Sequence, residues 1–359
     1  MSDRLFGKRI LIIDPTGQKN YKVSLLYPIK EQLENLGAKV KVLNISQSTP
    51  FQNNHFPDKL RNIYRRIVHK DIYYYRYLES KHFSKYCIKE FRKQIKDEKF
   101  DYTFILRPDM FTDTFVKLVR KNTDFLASYM WTAVKKGTLI NLQKNRKYFD
   151  KAFNFDPDEI SKYSDLNWEL ATNFHYNFPK ISQQKVYDIL YFGAIYTNRR
   201  DLIAYNLFKN LSDSFNIKVF IGEINPDKIE LIEDQRVEYI DEQIPYFDYV
   251  FESSKAKILL DIAKPEHKGL SFRFFECISL ETKLITNNTD VVNYDFYEPE
   301  NIYIIDFDNA NYEELKKFID TPYKKLPLEI YQKYSFENWI QYIFGIPGHS
   351  PICYNTEKV

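Results

Sequence analysis

The sequence predicts an α/β protein built from two successive, doubly wound parallel sheets. Three observations predict it. Short Ile-rich apolar runs alternate with stretches of helical spacing, as βαβ units require. A polar stretch, Pro179–Lys185 (PKISQQK), interrupts the alternation, which starts afresh near residue 187. The length of 359 residues suits two domains of roughly 150 residues each.

The first series opens with Lys8–Asp14 (KRILIID), an apolar run closed by Asp-Pro-Thr-Gly, which suits a buried parallel strand and its loop. Val23–Leu36 has helical spacing with Gly37 at the expected C-cap, and Ala38–Leu43 alternates like a strand. Pro57–Lys99 reads as two helices. Strands are expected at Asp101–Leu106, just before Arg107-Pro108-Asp109, at Asp124–Met130 and at Lys151–Phe155. The second series has Tyr187–Phe192 ending in Gly193, a helix over Asn198–Leu211, and strands at Ile217–Ile221 and Ala256–Ile262. A helix over Ser271–Leu280 follows, then strands at Lys283–Thr286 and Asn301–Ile305, and a last aromatic helix near Ser335–Phe344. The expected domains are a Rossmann-like 1–180 with a basic helical insertion at 57–98, a Rossmann-like 187–334, and a C-terminal helix and tail over 335–359.

Composition excludes several classes. Hydrophobic residues at 44% and charged residues at 28% exclude a disordered chain. No apolar run approaches the roughly 20 residues of a membrane span, and Ile10–Ile13 is too short for a signal peptide. Cys87, Cys277 and Cys353 lie far apart, without a disulfide or zinc pattern. A cytoplasmic protein is the expectation. Net charge is +3, but Pro57–Glu98 carries twelve Lys/Arg against six Asp/Glu, so the rest is slightly acidic.

Ligands of open α/β sheets sit at the carboxyl ends of the strands, and a cleft between two such sheets collects residues from both. Gly193 ends a strand, and Arg199 and Arg200 stand near a helix start. Glycine permits close approach to a phosphate, and a helix N-terminus with Arg binds anions, although a simple turn also explains the Gly. The richest stretch is Asp261–Asn288: a strand end, a loop with Lys264, Glu266, His267, Lys268 and Gly269, then a helix from Ser271. Glu276 shares an apolar helical face with Phe272 and Leu280, so it needs a partner, either Arg273 at i, i+3 or a ligand. Asp14 and Asp109 follow first-domain strands and are candidate bases, with turn and helix-cap roles as alternatives. His175 and His267 are further candidates.

Gly269-Leu270-Ser271-Phe272-Arg273-Phe274-Phe275-Glu276, followed by Cys277–Leu280 and Lys283–Asn287, resembles the donor-binding motif of GT-B glycosyltransferases. Tyr129-Met130-Trp131, Phe149-Asp150-Lys151, Phe155-Asp156 and Tyr294–Asp306 are similar, more narrowly, to CgeB-like bacterial glycosyltransferases of surface-polysaccharide and spore-coat assembly. The resemblance implies a GT-B-like α/β fold, with two Rossmann-like domains facing a central cleft and a C-terminal helix crossing back to the first. It implies sugar transfer from a nucleotide-sugar donor on the second domain to a saccharide or lipid-linked acceptor on the first, in polysaccharide or lipopolysaccharide assembly, with no metal and no other cofactor. Glu276 would hold the donor ribose, Lys264–Ser271 would lie along the diphosphate and sugar, and Arg199 or Arg200 with Lys268 would meet the leaving-group charge. Two positions depart from the family pattern. Lys268 stands where the Glu-x7-Glu spacing of retaining relatives has its first Glu, and Thr132 stands where the narrower family has an acid.

The basic window interleaves Tyr64, Tyr73, Tyr74, Tyr75, Tyr77, Phe83 and Tyr86 with its cations. Docking on the anionic inner face of a membrane, binding an anionic polysaccharide, and an ordinary helical pair all fit. Two rivals remain. One is a sugar-nucleotide or polysaccharide-binding protein without turnover, suggested by Thr132 and Lys268. The other is a nucleic-acid binder, disfavoured because no RNA-binding signature accompanies the basic stretch. A Rossmann dehydrogenase is disfavoured too, since no GxGxxG follows a strand.

Overall fold

Uninterrupted runs of Ile, Leu and Phe form the inner strands of two parallel sheets, because helical crossovers cover both faces of such sheets. The structure, a computed structural model, describes residues 3–15, 26–45, 56–178, 181–182, 184–194, 199–211, 214–222, 231–241, 244–264 and 268–355.

The first sheet contains β1 (Arg9–Ile13), β2 (Lys39–Val42), β3 (Phe100–Leu106), β4 (Thr123–Met130), β5 (Lys151–Asn154) and β6 (Glu169–Leu170), in the order β2-β1-β3-β4-β5-β6. Its helices are α1 (Leu26–Asn35), α2 (Phe56–Val68), α3 (Tyr74–Gln94), α4 (Asp113–Arg120), α5 (Leu139–Asn145) and α6 (Pro157–Lys162). Ile10–Ile13 are wholly buried, and Phe91, Phe111 and Phe115 close one face of the sheet.

The second sheet contains β7 (Tyr187–Ala194), β8 (Ile217–Gly222), β9 (Val237–Ile240), β10 (Ala256–Asp261), β11 (Lys283–Thr286) and β12 (Ile302–Ile304), in the order β12-β11-β10-β7-β8-β9. Numbered from its own first strand this is 3-2-1-4-5-6 read from β9, the order of dinucleotide-binding Rossmann sheets. Its helices are α7 (Arg200–Lys209), α8 (Tyr246–Ser253), α9 (Phe272–Leu280), α10 (Tyr312–Asp320) and α11 (Leu328–Lys333); in the last helix, α12 (Phe336–Ile343), the residues from Trp339 on belong to the first unit. Successive strand side chains point to opposite faces. Ile189 and Tyr191 therefore join one core with Leu207 and Phe318, while Leu190 joins the other with Phe274 and Phe275.

The chain divides into two compact units. One takes the described residues up to Thr172 together with Trp339–Ser350; the other takes Asn173–Asn338 and the described residues from Pro351 on. In the first, Trp339 stands edge-on to Phe104 and Tyr129 and donates Nε1 to Thr172 O at 2.8 Å, and Phe344 stacks on Tyr102. The second unit begins before the polar stretch 179–185. Phe174 and Tyr176 are buried against Phe272, Phe336 and Tyr246, and His175 and Phe336 exchange main-chain hydrogen bonds with the Tyr334–Phe336 turn and His175 respectively. Hydrophobic anchoring, rather than polarity, sets the boundary. Among the described residues no helix is long and apolar enough to cross a membrane.

Candidate functional site

In the second sheet β7 is followed by β8 and β9 on one side, and β10 then starts on the other, so strand order reverses between β7 and β10. A ligand crevice is expected outside the carboxyl ends of those two strands. Gly193 lies in β7, next to its last residue; Arg199 and Arg200 follow β7, and Lys264, Lys268, Gly269, Leu270, Ser271, Arg273 and Glu276 follow β10. His267 and Glu266 lie outside the described residues.

Glu276 is 2% exposed on α9, among Phe274, Phe275 and Ile278. A carboxylate there needs donors, and α8 provides two. Tyr246 donates to Oε1 at 2.9 Å and Tyr249 to Oε2 at 2.7 Å. Burial pushes the Glu276 carboxyl above its ordinary value, against the hydroxyl of Tyr249, the charge of Arg273 and the hydroxyl of Tyr246. The i, i+3 pairing with Arg273 does not form. Arg273 faces Asp261 instead, at 3.5 Å, donates Nη2 to Phe192 O at 2.7 Å, and lies over the Tyr191 ring.

Asp261, the last residue of β10, gathers the neighbouring loops. Its Oδ1 accepts from Ser271 Oγ at 2.8 Å and its Oδ2 from Thr286 Oγ1 at 3.1 Å, which ties the start of α9 to the end of β11. Asn288 then holds Lys268 O, and Asn287 accepts from Ala263 N. Leu270 is a packing residue, with its side chain buried and its carbonyl held by Asn173. Gly193 has a steric reason of its own: a Cβ there would meet the Tyr191 ring at 2.5 Å. Arg199 pairs with the buried Asp201 at 2.9 Å, and Arg200 donates to Ile262 O, just past β10. Lys264 is half-buried and Lys268 exposed.

In the first sheet the order reverses between β1 and β3, and Asp14 and Asp109 follow those strands. Asp109 is fully buried and gripped by Arg107, Nε to Oδ1 at 2.8 Å and Nη2 to Oδ2 at 2.9 Å, with Thr138 Oγ1 also reaching Oδ2. Arg107 has φ 52°, a left-handed conformation uncommon for a non-glycine residue. Burial works against its charge, but Asp109 and, beyond it, Asp14 outweigh that and raise its pKa. Asp14 is 2% exposed. The Thr132 hydroxyl is buried without a hydrogen-bond partner. His175 belongs to the second unit, not the first, and is buried with Nε2 2.8 Å from Tyr331 O, so its position is that of a packing residue. The sequence reading passed over Tyr246, Tyr249 and the Arg107 side chain. The spacing Tyr246, Tyr249, Val250, Ser253 is a helical stripe and was the available signal for α8.

Solved structures similar to this chain include an α-glucosyltransferase in complex with UDP and a 13-mer DNA containing an HMU base. It is 12% identical, with a TM-score of 0.51 over 88% of this chain and 91% of that one. The apo lipopolysaccharide outer core galactosyltransferase WaaB is 13% identical, with a TM-score of 0.49 over 94% and 99%. UDP-GlcNAc 2-epimerase from Neisseria meningitidis, bound to UDP-GlcNAc, is 13% identical, with a TM-score of 0.49 over 93% and 98%. The fold is GT-B-like. No family model and no curated protein matches the sequence, and at these identities the likeness is one of fold.

Within that GT-B-like fold, the second unit sets main-chain amides at the start of α9 and the cations Arg200, Lys264 and Lys268 along one sheet edge. Such a set suits an anion. Among the described residues no group of three or more His, Cys, Asp or Glu could hold a metal ion.

Proposed function

We propose that the protein is a glycosyltransferase that takes its sugar from a nucleotide donor bound at the β7/β10 edge of the second sheet. The observation that carries this reading is Glu276, a buried carboxylate aligned by two tyrosines beside the point where strand order reverses. An ionised carboxylate has about four acceptor sites, and the two tyrosyl hydroxyls use two of them. The others suit the vicinal hydroxyls of a ribose. The diphosphate then lies along Lys264–Ser271, with Arg199 or Arg200 and Lys268 meeting the charge that develops as the glycosidic C–O bond to phosphate breaks.

The acceptor hydroxyl attacks the anomeric carbon, and its proton passes to a carboxylate on the first sheet. Asp14 is the candidate we assign to that step; both oxygens of Asp109 are engaged by Arg107, which supports a structural role for Asp109. The chemistry proceeds without a metal. A saccharide acceptor of surface-polysaccharide or lipopolysaccharide assembly, free or lipid-linked, and a hexosyl donor are the finer reading, supported by the resemblance to CgeB-like enzymes.

A thermal-shift screen with UDP, GDP, CMP, ADP and TDP tests the donor site. Ligand at 100 times its Kd stabilises the native state by roughly 2.7 kcal/mol, so one nucleotide should raise the midpoint, and Glu276→Gln should remove that rise. A rise that survives Glu276→Gln would make Glu276 a structural anchor. The buried Thr132 hydroxyl, where an acid is expected, favours a second reading in which the donor is bound but not turned over. Donor binding without product would select it.

A further inference from the structure

Helix α2 is inverted with respect to the protein it belongs to. Phe56, Leu60, Ile63, Tyr64, Ile67 and Val68 recur at helical spacing along one stripe, and every one of them is more than half exposed. The opposite face is polar and turns inward onto α3. Asp58 is bridged by Lys81 at 3.1 Å, Asn62 is half-buried, and the Arg65 guanidinium lies over the Tyr74 ring. A helix packed on its own domain normally does the reverse, burying the apolar stripe and exposing the charges. The arrangement costs stability in water unless something covers the stripe, and a contiguous exposed apolar patch of this kind marks an interaction surface.

Charge indicates what covers it. From Phe56 to Arg76 there are six Lys/Arg and only two acids, Asp58 and Asp71. Both acids are committed, Asp58 to Lys81 and Asp71 to the amide of Tyr73. On the helical wheel Lys59 and Arg66 border the apolar stripe on one side and Arg61 borders it on the other. An apolar face flanked on both sides by long cationic side chains is the pattern of a helix lying in a lipid interface, where the stripe enters the acyl boundary and the cations reach the head groups. Anionic lipid adds attraction for each cation near the surface.

The support behind α2 is firm. The turn between α2 and α3 is fixed against the loop after β4. Gly137, at φ 94°, packs so closely under Tyr73 O that a Cβ would sit 2.4 Å from it, and Arg76 reaches Lys136 O. The ammonium of Lys136 lies over the Tyr73 ring. The stripe is thus carried beside the carboxyl edge of the first sheet.

We propose that α2 docks this protein on an anionic phospholipid surface, apolar stripe inward. The proposal concerns the first unit alone and stands whether or not the second unit binds a nucleotide. Co-sedimentation of the full chain with vesicles of phosphatidylcholine, or of phosphatidylcholine mixed with phosphatidylglycerol, tests it. The chain should sediment with the mixed vesicles, stay in solution with phosphatidylcholine alone, and be released as salt rises. The double variant Ile63→Ser/Ile67→Ser should weaken binding by at least about tenfold while its thermal midpoint stays that of wild type, since both side chains are exposed. Arg61→Glu/Arg66→Glu should weaken it as well. Failure to bind the mixed vesicles at low salt, or binding untouched by Ile63→Ser/Ile67→Ser, would overturn the proposal. Self-association in size-exclusion chromatography that the same double variant abolishes, with no vesicle binding, would overturn it in favour of a second copy of the chain.

Discussion

Tyr249 donates its hydroxyl to Glu276 Oε2 at 2.7 Å, and so joins α8 to α9 through a carboxylate that burial alone would leave stranded. Tyr246, one turn earlier on the same helix, takes the other oxygen. A hydrogen bond to a charged group contributes roughly 1.5–3 kcal/mol. Tyr249→Phe should therefore lower the unfolding free energy by about 2 kcal/mol in a urea titration. Loss of the nucleotide-induced thermal shift should accompany it, because the carboxylate is no longer aligned. A variant of wild-type stability would mean that Glu276 takes its support from elsewhere.

Glu276 also sets a pH dependence. Its folded-state pKa is raised above the ordinary 4.5, chiefly by burial. A raised folded pKa means that the protonated form is the one folding favours. The contribution is therefore complete below 4.5 and is lost as pH rises through the higher folded value. Glu276→Gln keeps the neutral shape and has no proton to lose. Relative to wild type, its stability should improve as pH rises from about 4.5 through the folded value and level off above it, read from urea midpoints across the range. A constant difference between the two proteins would show that the carboxyl titrates as it does in the unfolded chain.

The fold was legible where burial erases ambiguity. The strands β1, β3, β4, β10 and β11 are covered on both faces, so their sequences are apolar at successive positions and can hardly be read otherwise. The two-residue β6 and the half-buried edge strand β9 carry no such run, and both were missed. The helices α8, α10 and α11 were missed too. In α8 the buried stripe is made of Tyr246, Val250 and Ser253, a mixture that hydropathy does not single out. The site shows the same division. Glu276 was legible as a charge on an apolar helical face, but its partners lie 27 and 30 residues upstream on an element whose packing only the tertiary structure discloses.

His175 makes a prediction of opposite sign. Burial lowers its pKa below the ordinary 6.5, against the hydrogen bond between Nε2 and Tyr331 O. Its contribution is present above 6.5 and is lost as pH falls through the lower folded value, because the unfolded chain takes up the proton first. Between neutral and mildly acidic pH, His175→Gln should lose stability less steeply than wild type. Parallel urea midpoints for the two proteins over that interval would show that His175 stays protonatable in the fold.

Arg107 and Asp109 separate a stability role from a catalytic one. The pair is buried and bidentate, so Arg107→Ala leaves a carboxylate without its counter-charge at a cost of roughly 3–5 kcal/mol. Arg107→Leu/Asp109→Leu removes both charges and should cost less than Arg107→Ala, the mark of a mutual dependence. Asp14 follows the adjacent strand, and its charge adds to that of Asp109 in raising the Arg107 pKa. Under the glycosyltransferase reading, Asp14→Asn should reduce sugar transfer by roughly 10²–10⁴-fold while the nucleotide-induced thermal shift is retained. Asp109→Asn should instead lower the midpoint and leave transfer per folded molecule much closer to wild type. The reverse result, with transfer lost in Asp109→Asn at unchanged stability, would move the base to Asp109 and require Arg107 to release it during turnover.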